Sequence, residues 1–165
     1  MTGSESLIKK LVDKFGGWIV VEGTEPQASI VVDKNKLREM SLFLKADQET
    51  PFDMLTDLFA VDLYGQDPRF EVVYLLNSTK SKNRLTMKVR LNDSQYVETV
   101  SDIWRAAEWL EREAFDMFGL RFHNHPDLRR ILMVEDFNGY PLRKDFPTEG
   151  YGFDQPFRVD LEEKV

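Results

Sequence analysis

Apolar and polar positions along this chain follow two different periods, and the points where the period changes divide it into elements. Leu7, Ile8, Leu11, Val12 and Phe15 fall on one side of a helical projection, with Lys9, Lys10, Asp13 and Lys14 on the other. This predicts an amphipathic helix from Ser4 to Phe15, ended by Gly16-Gly17. Two β-rich runs follow, Trp18 to Glu22 and Ala28 to Val32, joined by a hairpin-like loop from Gly23 to Gln27. Asp33 is placed to cap a second helix over Lys34 to Ala46, with Leu37, Met40, Phe43 and Leu44 as its apolar positions. After Pro51 the pattern is ambiguous. Leu58 to Tyr64 reads as a strand, and Asp53 to Leu58 is left open, since it could equally be a helical turn.

Strict alternation then appears twice, with Phe70, Val72, Tyr74 and Leu76 in one run and Leu85, Met87, Val89 and Leu91 in the next. The polar loop from Thr79 to Asn83 joins them into a hairpin with one face on a core and one wet face. Ser101 or Asp102 is expected to cap a third helix that runs to Phe118 and stops at Gly119. Its buried stripe reads Ile103, Ala107, Leu110, Ala114 and Phe118. From Leu120 onward periodicity fades, and prolines at 126, 141, 147 and 156 punctuate the segment.

Strands come grouped rather than alternating with helices, so the expected class is α+β. The expected architecture is a two-layer domain, with a mainly antiparallel or mixed sheet of about five strands packed by helices. Residues 1–135 form that domain, and residues 136–165 form an extended docking tail. Aromatics at Phe122, Phe137, Tyr140, Phe146, Tyr151, Phe153 and Phe157 argue that the segment beyond Leu120 docks on something instead of remaining solvated.

Composition narrows the chemistry. The 165 residues contain no cysteine, which removes disulfides, thiolate-held iron–sulfur clusters, thiol nucleophiles and Cys-type zinc sites together. A net charge of −7 argues against a general nucleic-acid binder. No apolar stretch approaches the ~20 residues of a membrane-spanning helix. The N-terminus carries no export or organelle signal pattern, so neither is expected.

Three clusters remain as candidates. Glu108, Arg112 and Asp116 are spaced to form a solvated ladder of opposite charges. Trp104, Trp109, Phe115 and Met117 lie outside the main stripe and argue instead that a partner or the tail covers this helix. His123 and His125, the only 2 histidines, with Asp127, offer metal ligands or an acid–base group, but no third His or Cys completes a zinc set. A proline-bent loop ending the helix is the ordinary alternative. Arg129-Arg130 and Arg143-Lys144-Asp145 make the tail locally basic, suited to an anion, to nucleic acid or to acidic groups on a partner protein. With the chain acidic overall and no Gly-rich phosphate loop, a protein partner fits best.

The run Glu111-Arg-Glu-Ala-Phe-Asp-Met-Phe-Gly119 is followed by Phe122, His125-Pro126 and Leu128-Arg-Arg-Ile-Leu132. This block resembles the hallmark of the C subunit of NADH–quinone oxidoreductase, a peripheral-arm component of respiratory complex I. Asp136-Phe-Asn-Gly-Tyr-Pro-Leu-Arg-Lys-Asp-Phe146 resembles the second hallmark of that family, and Ala60-Val61-Asp62 also suits its pattern. The resemblance implies a non-catalytic scaffold subunit of an ion-translocating complex that passes electrons from NADH to quinone. It implies no cofactor on this chain, with FMN and iron–sulfur clusters on partner subunits. The D subunit and the cluster-bearing subunits of the peripheral arm are the implied partners, on the cytoplasmic side of the bacterial inner membrane. The implied interface residues are Glu111, Arg112, Glu113, Asp116, His125, Arg129, Arg130, Arg143, Lys144 and Asp145. No fused D subunit is expected. Membrane-bound hydrogenases and other donor–quinone oxidoreductases use similar subunits, so an equivalent place in one of those complexes is the alternative.

Overall fold

The structure, a computed structural model, describes residues 3–24 and 28–150. Helix α1 (Gly3–Phe15) leads into strands β1 (Ile19–Glu22) and β2 (Ser29–Val32). A 3₁₀ turn (Lys34–Lys36) and helix α2 (Leu37–Ala46) follow. Strands β3 (Met54–Asp62), β4 (Phe70–Asn77) and β5 (Arg84–Leu91) come next. After them come β6 (Tyr96–Glu98), helix α3 (Ala107–Phe118) and β7 (Arg121–His123). The first five strands form one mixed sheet in the order β1-β2-β5-β4-β3. Only β2 against β5 is parallel; β1–β2, β3–β4 and β4–β5 are antiparallel. This is the expected α+β layering.

One sheet face carries Phe70, Val72, Tyr74 and Leu76 of β4 beside Leu85, Met87, Val89 and Leu91 of β5, all buried. Leu7 and Leu11 of α1, Leu37, Met40 and Leu44 of α2, and Ala107 and Ala114 of α3 join them in a single core. The opposite face carries charge. Arg90 bonds Glu71 at 3.0 Å and Glu22 at 2.8 Å, and Lys88 lies 3.3 Å from Glu71. The even spacing of polar positions on β5 therefore encodes the wet face of the hairpin.

Two local expectations are corrected, and one left open is decided. Residues 54–58, open between a strand and a helical turn, are strand. A bulge at Thr56 breaks the register between Leu55 and Asp57, so the buried pair Leu55 and Leu58 sits three apart and imitates a helical period. Ser101 and Asp102 do not cap α3, because residues 101–106 form turns and the helix begins at Ala107. Asp102 instead holds Arg38 of α2 through bonds of 2.8 and 2.7 Å. Asp33 caps the 3₁₀ turn through the Asn35 N–H, and α2 proper starts later than expected. The sequence pattern also missed β6 and β7, a parallel pair of three residues each. Gly16, Gly17 and the turn to Trp18 end α1 as anticipated, whereas residues 25–27 of the β1–β2 loop lie outside the described residues.

The core assignment has a direct test. Leu44→Ala, at 1 % exposure, is expected to cost ~2–5 kcal/mol in urea unfolding. Leu42→Ala on the same helix, at 49 % exposure, is expected to stay within ~0.5 kcal/mol.

Candidate functional site

Helix α3 packs on β3 with a face that is charged as well as apolar: Glu111, Arg112 and Asp116 are buried beside Ala107, Ala114 and Met117. The expected solvated ladder of Glu108, Arg112 and Asp116 is thereby corrected, because Arg112 and Asp116 are buried and bind the loop backbone instead of one another. The apolar residues outside the stripe gave the better signal. Trp104 and Met117 are buried, while Trp109 stays outside at 60 % exposure.

Asp116 is the centre of the arrangement. Its Oδ2 accepts the N–H groups of Ile131, Leu132 and Met133 at 2.9, 2.7 and 3.0 Å, and its Oδ1 accepts Arg130 Nη1 at 2.7 Å. Burial opposes the charge, but these donors outweigh it and hold the carboxyl below its ordinary range. Arg130 then extends from the helix to the carbonyls of Phe137 and Gly139 at 3.2 and 3.0 Å, with its guanidinium over the Tyr140 ring.

Residues 129–146 thus form a strap across the C-terminal end of α3. Gly119 ends that helix in the left-handed region at φ 75°, and the Tyr140 ring occupies the space a Cβ would need, 2.5 Å away. Leu142 N–H bonds the Met117 carbonyl, and Arg143 Nε bonds the Phe118 carbonyl at 2.7 Å. Arg143 also pairs with Asp93 at 2.7 Å. Farther along, Asp145 pairs with Arg69 at 2.6 Å, and Arg69 pairs with buried Asp62 at 2.7 Å. The Lys144 backbone N–H bonds Asp62 as well, at 2.9 Å. Arg69 first, with the Lys144 N–H added to it, keeps the Asp62 carboxyl below its ordinary range against the cost of burial.

Glu111 takes the opposite course. Its Oε2 lies 2.5 Å from Thr99 Oγ1 and its Oε1 accepts the Val100 N–H at 2.9 Å, with no cation as close. Burial pushes its carboxyl up to about 7, even though those two bonds work the other way. Arg112 reaches the Arg129 carbonyl at 3.3 Å and stacks over Trp109. His125 Nε2 faces the Glu108 carbonyl at 3.0 Å, and Asp127 N–H bonds His125 Nδ1 at 3.0 Å.

Of the residues expected at an interface, Glu111, Arg112, Asp116, His125, Arg130, Arg143 and Asp145 are all engaged within the chain. Glu113, the Arg129 guanidinium and the Lys144 side chain face outward. His123 turns to Glu98 at 2.8 Å, away from His125. Among the described residues, no group of three or more His, Cys, Asp or Glu is placed to hold a metal ion. Sequence reasoning missed Arg69 and Asp93 and saw Asp62 only as part of the family pattern; all three face the strap from distant loops and strands. It also gave no role to Leu132, Val134 and Leu142, which the strap leaves exposed at 60, 65 and 53 %. The signal was present as apolar residues in a stretch without helical or strand period. Tyr151, Phe153 and Phe157 lie outside the described residues.

Two measurements check these assignments. Asp116→Asn is expected to cost ~3 kcal/mol or more, because Arg130 keeps its charge and loses its counter-ion. Glu111 has a folded-state pKa above its unfolded value of 4.5, so the stability it contributes is full below pH 4.5 and is lost as pH rises to about 7. Glu111→Gln is therefore expected to be the more stable protein by ~1–3 kcal/mol at pH 8 and to lose that advantage on acidification, in chemical unfolding at both pH values.

Comparison with known proteins extends over the same elements. The sequence profile of the family described as "Respiratory-chain NADH dehydrogenase, 30 Kd subunit" matches residues 30–152. The chain is 44 % identical over 153 residues to the second NADH-quinone oxidoreductase C subunit of Rhizobium meliloti, covering 92 % of this chain and 84 % of that protein. It is 41 % identical over 152 residues to the NADH-quinone oxidoreductase C subunit of Geotalea uraniireducens, covering 91 % and 92 %. The trypsin-resistant fragment (1–134) of Nqo5 superposes with a TM-score of 0.66 at 28 % identity, over 76 % of this chain and 98 % of the fragment. A chain of an archaeal membrane-bound sulfane sulfur reductase shares the fold, with a TM-score of 0.75 at 24 % identity over 98 % of this chain and 99 % of that one. With its buried α3 charges and its strap inside the matched region, the chain belongs to the family of the respiratory-chain NADH dehydrogenase 30 kDa subunit.

Proposed function

We propose that this chain is a non-catalytic scaffold subunit of an ion-translocating NADH–quinone oxidoreductase, attached through the outer side of its strap. Electrons pass from NADH to quinone through flavin and iron–sulfur clusters on the partner subunits. The chain has no cysteine with which to hold such a cluster by thiolates. The D subunit and the cluster-bearing subunits are its partners, and the complex holds it on the cytoplasmic side of the inner membrane. Among the described residues, no helix is long and apolar enough to cross a membrane.

One observation supports the docking reading above the rest. The inner side of the strap is held to α3 through Arg130 and Arg143, to β3 through the Lys144 N–H on Asp62, and to Arg69 through Asp145, while Leu132, Val134 and Leu142 stand exposed. A rigid backbone that presents apolar side chains outward with no core function is what a protein partner buries. Glu113, Arg129 and Lys144 fit a polar rim around such a contact.

Tagged chain at native abundance is expected to migrate with a large membrane-bound complex on native gels, and mass spectrometry of that band to identify the D subunit. Migration only as a free monomer would overturn the reading. Leu132→Asp combined with Val134→Asp is expected to leave the free chain folded and to abolish co-migration, because both side chains are exposed when the chain is alone.

A further inference from the structure

Glu111 sits at the joint of β6, α3 and the loop after β7, and its bonding has a feature that a structural carboxylate does not need. Thr99 Oγ1 lies 2.5 Å from Glu111 Oε2 and 2.8 Å from Ser101 Oγ, and it also accepts the Ser101 N–H at 3.1 Å. The N–H occupies one lone pair of Thr99. One proton and one lone pair are left to share between Glu111 and Ser101. Two patterns satisfy every group. With Glu111 ionised, Ser101 donates to Thr99 and Thr99 donates to Glu111. With Glu111 protonated, Glu111 donates to Thr99 and Thr99 donates to Ser101. No heavy atom has to move between them. Thr99 and Ser101 line a cleft of about 510 Å³, rimmed by Arg38, Glu98 and Asp102.

We propose that Glu111, Thr99 and Ser101 form a proton-exchange chain, through which a buried carboxyl takes a proton from the cleft and returns it there. In the loading step, a solvent acid in the cleft gives a proton to Ser101 Oγ. Ser101 passes its own proton to Thr99, and Thr99 passes its own to Glu111 Oε2. Each hydroxyl ends with one proton, Glu111 has gained one and the solvent acid has lost one. The hydrogen bonds finish in the protonated pattern without any rotation.

The surroundings leave this route as the open one. His125 Nε2 is 3.8 Å from Glu111, but its proton goes to the Glu108 carbonyl and its Nδ1 lone pair to the Asp127 N–H, so the ring offers Glu111 neither donor nor cation. Tyr74 of β4 is fully buried, and its hydroxyl has no hydrogen-bond partner among the described residues. Asp102 adds negative charge from the cleft and Arg38 is committed to it. Glu98 is committed to His123 and Asn124. On β3, Asp62 is paired with Arg69. A charge on Glu111 therefore stands buried and, among the described residues, without a paired counter-ion, and a proton is the ligand that relieves it at near-neutral pH.

The test is carboxyl carbon NMR of the full chain, with the Glu111 signal assigned by its loss in Glu111→Gln. Its midpoint is expected at about 7, with fast exchange between the two forms. Thr99→Val removes the nearest donor to the ionised form and is expected to raise the midpoint by about one pH unit, while Thr99→Ser keeps it. Ser101→Ala leaves the Thr99 bond to Glu111 intact but removes one of the two hydroxyls at the cleft, the one that relays the proton to Thr99, so it is expected to slow exchange and broaden the signal through the titration. A Glu111 midpoint in the ordinary glutamate range overturns the proposal, as does exchange in Ser101→Ala as fast as in the parent chain. Should Thr99→Val fail to fold, the Thr99→Ser and Ser101→Ala measurements still decide it.

Discussion

The position of Asp116 decides how the segment from Arg130 to Gly139 is arranged. A carboxylate on a helix facing a sheet is costly unless its lone pairs are filled, and here three consecutive backbone N–H groups and one guanidinium fill them. Residues 131–133 have no sheet or helix of their own in which to satisfy those N–H groups. The helix thus supplies the acceptor that an irregular segment lacks, and the segment supplies the donors that a buried charge needs. Arg130 completes the exchange by carrying the same charge balance on to the carbonyls of Phe137 and Gly139.

From that node the strap runs along a path set by shape and charge together. Tyr140 fits where Gly119 has no side chain, Arg143 fills an orphan carbonyl at the end of α3, and Asp145 meets Arg69 over β3. Every one of these contacts uses a polar or aromatic residue of the hallmark blocks on its inner side. On the outside, Leu132, Val134 and Leu142 stand exposed among charged residues such as Arg129 and Lys144, and this gives the strap its two-sided character.

Glu111 and Asp116 lie on the same helix and are both fully buried, yet their carboxyls are shifted in opposite directions, up for Glu111 and down for Asp116. Asp116 has an arginine and three N–H donors; Glu111 has one N–H and a hydroxyl that can reverse. Burial raises both but weighs more on Glu111, and the donors at Asp116 are more numerous and include a charged one. A helix fixed at one end by an ionised group carries, nearer its middle, a group that titrates near neutrality.

The sequence by itself determined the sheet and its layers. Strict alternation in β4 and β5 and the apolar stripes of α1 and α2 are local patterns, and hydrophobic burial translates them directly into facing surfaces. It also determined the glycine stop of α3 and, through the combined hallmark blocks, the family. It was undecided around Leu55 and Leu58, where a bulge borrowed a helical spacing, and it misled at Ser101 and Asp102, whose side chains serve tertiary contacts instead of a cap. Only the tertiary structure decided that Glu111, Arg112 and Asp116 are inside. Their spacing along the helix is compatible equally with a solvated face, and the groups that reverse that reading lie far away in the chain or in segments with no period. Charge pairing across long loops such as Arg69 with Asp145 leaves no local trace, because it depends on which surfaces the fold brings together and not on any repeat along the chain.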